Sequence, residues 1–148
     1  MKIAISKKLQ RTFISDKQEQ KFIADFRAWK SSADPCSFKR FGKDVATAIP
    51  VGHDFDKLMH VHLAPLNQLG QADDEESYQR WCDAFASKTQ NIRCNRQSDL
   101  LLYYATYQGD YYLIMVDNHG VMKPPLDRLN DICALADRWV ASKRTPKT

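Results

Sequence analysis

Two β-rich runs, 99–107 and Tyr111 to Asp117, meet around Gln108-Gly109-Asp110, and this pairing constrains the fold more than any other stretch. Valine, isoleucine, tyrosine and threonine suit a pleated, half-buried surface, and a short glycine-bearing link folds one run back on the other. The chain must therefore contain a β-hairpin, and its other elements must cover that hairpin's apolar side. Five tyrosines (103, 104, 107, 111 and 112) crowd it. Alternation sends some inward as core and leaves others able to stack on a flat ligand, without saying which.

A third run, Leu58 to Ala64, alternates as a strand does. Met59, Val61 and Leu63 point one way; His60 and His62 point the other, side by side. Pro65 ends it. Ile3 to Phe13 reads as a first strand. Ser15 and Gln18 then form a capping-box pattern ahead of a helix whose Phe22, Ile23, Phe26 and Trp29 recur at helical spacing. Asp34-Pro35-Cys36-Ser37 stops that helix and opens a loop carrying Lys39, Arg40, Phe41, Gly42, Lys43 and Asp44.

Residues 67–98 are polar and read as an insertion, with a short helix from Asp74 to Ser87 led by acidic residues that suit its positive N-terminus. Tyr78, Trp81, Cys82 and Phe85 give that helix an inward face. After the hairpin, Asn118-His119-Gly120 makes a turn. Pro124-Pro125 then leads into a helix with Leu126, Leu129, Ile132, Cys133, Ala136, Trp139 and Val140 on one face. A loose tail is expected after residue 142. With so little helix between strands, the order predicts an α+β fold: a small, mainly antiparallel sheet flanked by helices, in one domain spanning 1–148.

The composition fits a folded chain, with 43% hydrophobic residues, and no apolar run is long enough for a membrane span. The first residues meet charge too soon for a signal peptide, and Cys36, Cys82, Cys94 and Cys133 are scattered without a CxxC pair. These features predict a cytoplasmic protein with reduced thiols. Residues 1–50 hold 11 Lys and Arg against 5 Asp and Glu, so the positive charge gathers in the first third. Such a patch attracts polyanions, and equally serves as a soluble surface.

Adjacent imidazoles can take and give protons near neutrality. Metal-free RNA cleavage needs a base for the 2′-hydroxyl, an acid for the leaving oxygen and cations on the phosphate. The same two rings also read as half-buried sheet residues bonded to neighbours. His53, Asp54, Asp56 and His119 could add ligands for a metal, but no recognised spacing ties them together, so neither metal nor cofactor is expected. Lys39, Arg40 and Lys43 could grip phosphate, with Phe41 either stacking on a base or anchored in the core. Asp117 and His119 stand at a strand end as exposed polar candidates. Nucleotide-cofactor, P-loop, α/β-hydrolase and zincin motifs are absent.

Read in order, Ala24-Asp25-Phe26, Phe41-Gly42-Lys43-Asp44, His60-Val61-His62-Leu63-Ala64, and Asp99 with Leu102-Tyr103 resemble the YafO-like toxins of bacterial type II toxin–antitoxin systems. The resemblance implies a RelE-like fold and a ribosome-dependent endoribonuclease that cleaves translated mRNA, inhibits protein synthesis and is silenced by a cognate antitoxin protein. On that reading His60, His62 and His119 are catalytic, and Lys39, Arg40, Lys43 and Tyr103 bind RNA. The alternative is a non-catalytic translation inhibitor that sits on the ribosome or on RNA. The acidic stretch from Asp73 to Glu76 and the helix after it are longer than the family pattern.

Overall fold

The computed structural model describes residues 1–34, 37–66, 72, 74–86, 98, 100–117 and 126–144. The elements are β1 (Ile3–Ile5), α1 (Lys7–Gln10), α2 (Asp16–Ser31), β2 (Phe41–Ala46), β3 (Lys57–Leu63), α3 (Glu75–Ala86), β4 (Leu101–Tyr107), β5 (Asp110–Asp117) and α4 (Leu126–Arg144). One five-stranded sheet runs β1-β5-β4-β3-β2. Neighbours from β2 to β5 are antiparallel, while β1 lies parallel to β5, with Ile3 opposite Tyr111. The expected α+β class and mainly antiparallel sheet are what the chain forms.

The hairpin turns on Gln108 and Gly109, at φ of 50° and 81°. Two successive positive φ values match the right-handed twist of the flanking strands, as two-residue hairpin turns require. Helix α2 starts as expected: Ser15 Oγ accepts from the Gln18 N–H, and Gln18 Oε1 reaches back to the Ile14 N–H rather than to Ser15.

Two expectations need correction. The strand predicted over Ile3 to Phe13 stops at Ile5. Ser6 there donates its hydroxyl to the Ile114 carbonyl and accepts from the Leu9 N–H, turning the chain out of the sheet into α1. The predicted basic loop becomes a strand at Phe41. That ring is fully buried, stacked on Trp29 at 4.6 Å, and its residue pairs with Leu63. Phe41 is thus the core anchor, and burying such a side chain contributes about 2–3 kcal/mol.

Both faces of the sheet are covered, so two cores form. On one face Leu9, Phe22, Phe26 and Trp29 from α1 and α2 pack on Val61, Leu63, Leu102, Tyr104 and Leu113. On the other, Leu129, Ile132, Cys133, Ala136 and Val140 of α4 pack on Leu58, Leu101, Tyr103, Ala105, Ile114 and Met115. Of the expected α4 stripe, Leu129, Ile132, Cys133, Ala136 and Val140 are buried, Trp139 is partly buried and the Leu126 side chain lies outside the described ones; the helix continues through Lys143 and Arg144, past the predicted start of the tail. Within the predicted insertion, α3 forms as expected, with Trp81 buried and its indole N–H donating to the Lys39 carbonyl at 2.6 Å. No helix among the described residues is long and apolar enough to cross a membrane.

Candidate functional site: the histidine face of β3

Strand alternation puts His60 and His62 on the α4 side of the sheet, in phase with Leu58. The rings lie edge to face with centroids 6.1 Å apart. Across the strands, His60 pairs with Val45 and Tyr103, and His62 pairs with Leu101, which in turn faces Asp117. His60, Tyr103 and Asp117 thus place a polar side chain on each of three adjacent strands, in a row running diagonally toward α4, with Leu101 between His62 and Asp117.

Each imidazole is tethered through Nδ1. His60 Nδ1 and Thr47 Oγ1 share a hydrogen bond of 2.7 Å. His62 Nδ1 lies 2.8 Å from the Ser98 carbonyl oxygen and 3.1 Å from the Ser98 N–H, so either tautomer is satisfied. Ser98 is itself fixed, donating its hydroxyl to the Leu63 carbonyl at 2.6 Å. The Nε2 atom of His60 is buried and has no hydrogen-bond partner among the described residues. His60 and His62 are only 3% and 2% exposed, more deeply covered than the half-buried sheet pair that alternation allows.

Burial lowers the His60 pKa below 6.5, and the neighbouring His62 and Lys43 push it the same way, while Asp44 opposes them. Neutral His60 is the form a general base must have. Further along the row, Asp117 is buried and paired with Arg128 of α4. The expected exposed aspartate at a strand end is thus a covered one, because α4 folds its guanidinium over it. Burial, with help from the Asp117 charge, raises the Tyr103 hydroxyl above its usual pKa.

The RNA-binding candidates separate. Tyr103 is fully buried, and two-sided coverage of the sheet leaves no open face at its position for stacking on a base in this structure. Arg40 lies on the opposite side of the sheet from the histidines, paired with Asp25 at 3.0 Å and set over the Phe22 ring. Lys39 is exposed, next to Arg40 at the start of β2. Lys43, on edge strand β2, is the one of the three whose charge acts on His60. His119 lies outside the described residues, as do Asp99, Cys36 and Cys94.

Arg128, Thr47 and Ser98 were missed from sequence, since each reaches the site from a segment with no motif of its own. His53, a metal candidate, instead bonds Asp137 of α4 at 2.8 Å, and Asp137 also accepts from the Asp54 N–H. Among the described residues, no group of three or more His, Cys, Asp or Glu side chains could hold a metal ion. Of the two described cysteines, Cys133 is buried and its thiol is pushed up to about 11, which leaves it a packing residue rather than a nucleophile.

No protein-family model, no curated protein and no solved structure matches the chain.

Proposed function

We propose that this chain is the toxin of a type II toxin–antitoxin pair, with a RelE-like fold, acting as an endoribonuclease on mRNA in the ribosome. The observation that carries the reading is the imidazole pair on one strand face, with the His60 Nε2 free of any protein hydrogen bond among the described residues and burial holding its pKa below the usual value. In the reaction, the 2′-hydroxyl oxygen attacks the adjacent phosphorus as one imidazole takes its proton. The bond from phosphorus to the 5′-oxygen breaks, and the second imidazole, protonated, gives its proton to that leaving oxygen. A 2′,3′-cyclic phosphate and a 5′-hydroxyl result. In this reading Lys43, whose charge acts on His60, and Arg128, which pairs with Asp117, take the place of Arg40 as cations for the phosphate.

Rings so well covered meet a phosphate only where the surrounding chain gives way, and we place that opening on the ribosome, the family's site of action. The same burial favours a second reading, a non-catalytic inhibitor that binds the ribosome or RNA with the histidines as core residues. Primer extension and toeprinting in a reconstituted translation system separate the two. New RNA ends made by the native chain and lost in the folded His60→Ala/His62→Ala variant support cleavage. Stalled ribosomes on intact mRNA, or unaltered cleavage by the variant, would sink it.

A further inference from the structure

Strand β2 is an edge of the sheet, and the chain that joins it to β3 runs from there to α4. Its first residue, Thr47, bonds His60 Nδ1, and Ile49 and Phe55 pack into the core on the α4 side. Backbone bonds close this connection only at its ends. The Thr47 N–H donates to the Leu58 carbonyl and the Asp56 N–H to the Thr106 carbonyl, each at 2.8 Å. Between them, residues 48–55 make no backbone–backbone hydrogen bond among the described residues. Gly52 sits there at φ of 99° with open space around it, and Val51 beside it is fully exposed. Two hydrogen bonds fasten the segment to the helix, and both end on the Asp137 carboxylate: His53 Nδ1 at 2.8 Å and the Asp54 N–H at 3.1 Å. The Asp54–Arg144 pair, at 3.7 Å and more than half exposed on both sides, is screened by water and adds little.

We infer that residues 48–55 form a hinged strap over His60, latched by Asp137, whose release admits water or a ligand to His60 Nε2. A segment with so few backbone bonds opens locally, far more often than the whole domain unfolds. Gly52 supplies a backbone free to swing, as hinge positions must. A force for opening is also present, because the closed form leaves His60 Nε2 buried without a protein partner among the described residues. Opening gives that atom water to bond, and a buried polar atom without a partner is costly. The Asp137 latch and the burial of Ile49 and Phe55 hold the strap down against that gain. The strap names the part of the chain that gives way before the histidines can act. Its bearing on RNA cleavage rests on the reading above; its opening does not.

The test is modification of the full chain by diethyl pyrocarbonate at neutral pH, with the His60 rate read by tandem mass spectrometry. Asp137→Ala and His53→Ala should each speed His60 labelling about tenfold, and together no more than either alone, because they cut the same latch. Asp131→Ala removes an exposed α4 carboxylate that has no ion pair among the described residues, and should leave the rate unchanged. Circular dichroism checks that each variant is folded. Low urea tells strap opening from unfolding: His60 labelling should barely respond, since a strap exposes little surface, while amide exchange of β4 should rise with urea. Labelling unmoved by both latch variants, or labelling that follows β4 exchange in rate and urea dependence, would overturn the inference. Faster His60 labelling in the variants while no form cleaves RNA would keep the strap and remove the nuclease. RNA cleavage with His60 labelling unmoved by either variant would do the reverse.

Discussion

Tyr104 donates its hydroxyl to Asp44, 2.8 Å from each carboxylate oxygen, and Lys30 of α2 reaches the same carboxylate at 2.8 Å. The Lys30 ammonium also sits 4.2 Å from the Trp29 ring centroid and 5.0 Å from that of Tyr104. This knot joins α2 to edge strand β2 and central strand β4, and it holds the strand that carries Lys43 toward the histidines. Burial and the Asp44 charge both raise the Tyr104 hydroxyl well above its usual pKa, so it stays a donor at any physiological pH.

Tyr104→Phe removes that donor without a cavity, and should cost about 1–2 kcal/mol, since a bond to a charged acceptor that is partly solvated is the thing lost. Asp44→Ala should cost more, about 2–3 kcal/mol, because it strands the buried hydroxyl and the ammonium together. Urea denaturation of both single variants and the double variant measures this. Additive losses would show that the two groups are not coupled.

Arg128→Ala leaves the Asp117 carboxylate, whose side chain is 4% exposed, without its guanidinium. A loss of about 2–3 kcal/mol is expected, discounted because Arg128 itself is 35% exposed. Arg128→Ala/Asp117→Leu should recover most of it, because the buried charge is then gone. Thermal melts of the pair would refute this if the double variant were no more stable than Arg128→Ala alone.

The lowered His60 pKa gives stability a pH dependence of known sign. Unfolded, the ring takes up a proton near 6.5; folded, it does so only at lower pH. In the window between these values the unfolded chain binds more protons, so stability is full above about 6.5 and falls as pH drops through the window. His60→Gln should show a shallower loss between neutral and acidic pH. A histidine ¹H–¹³C titration by NMR reads the pKa directly, and a midpoint at or above 6.5 would contradict the burial argument.

Gln108 holds φ of 50° in a position that favours glycine or asparagine. Gln108→Gly or Gln108→Asn should stabilise by about 0.5 kcal/mol, and Gly109→Ala, at φ of 81°, should destabilise by about 1 kcal/mol. Chemical denaturation midpoints of the three variants decide it.

Residues near one another along the chain dictate the elements whose causes are local. The Ser15–Gln18 cap, the Gln108–Gly109 turn, the period-two alternation of β3 and the helical spacing along α4 each follow from residues a few positions apart. That His60 and His62 share a face was legible for the same reason. What covers that face was not. Tertiary packing decided it, by laying α4 on the histidine side and α1 with α2 on the other, so that Tyr103 and Tyr104, on opposite faces of β4, are both fully buried. Phe41 became a strand residue rather than a loop tip because Trp29 and Leu63, distant in sequence, give its ring a place to go. Arg128 joins Asp117, and Arg40 parts from the histidines, through contacts that no spacing encodes. Side-chain direction is set by the neighbouring residues, but burial and charge pairing are set by whichever distant element arrives to remove the water.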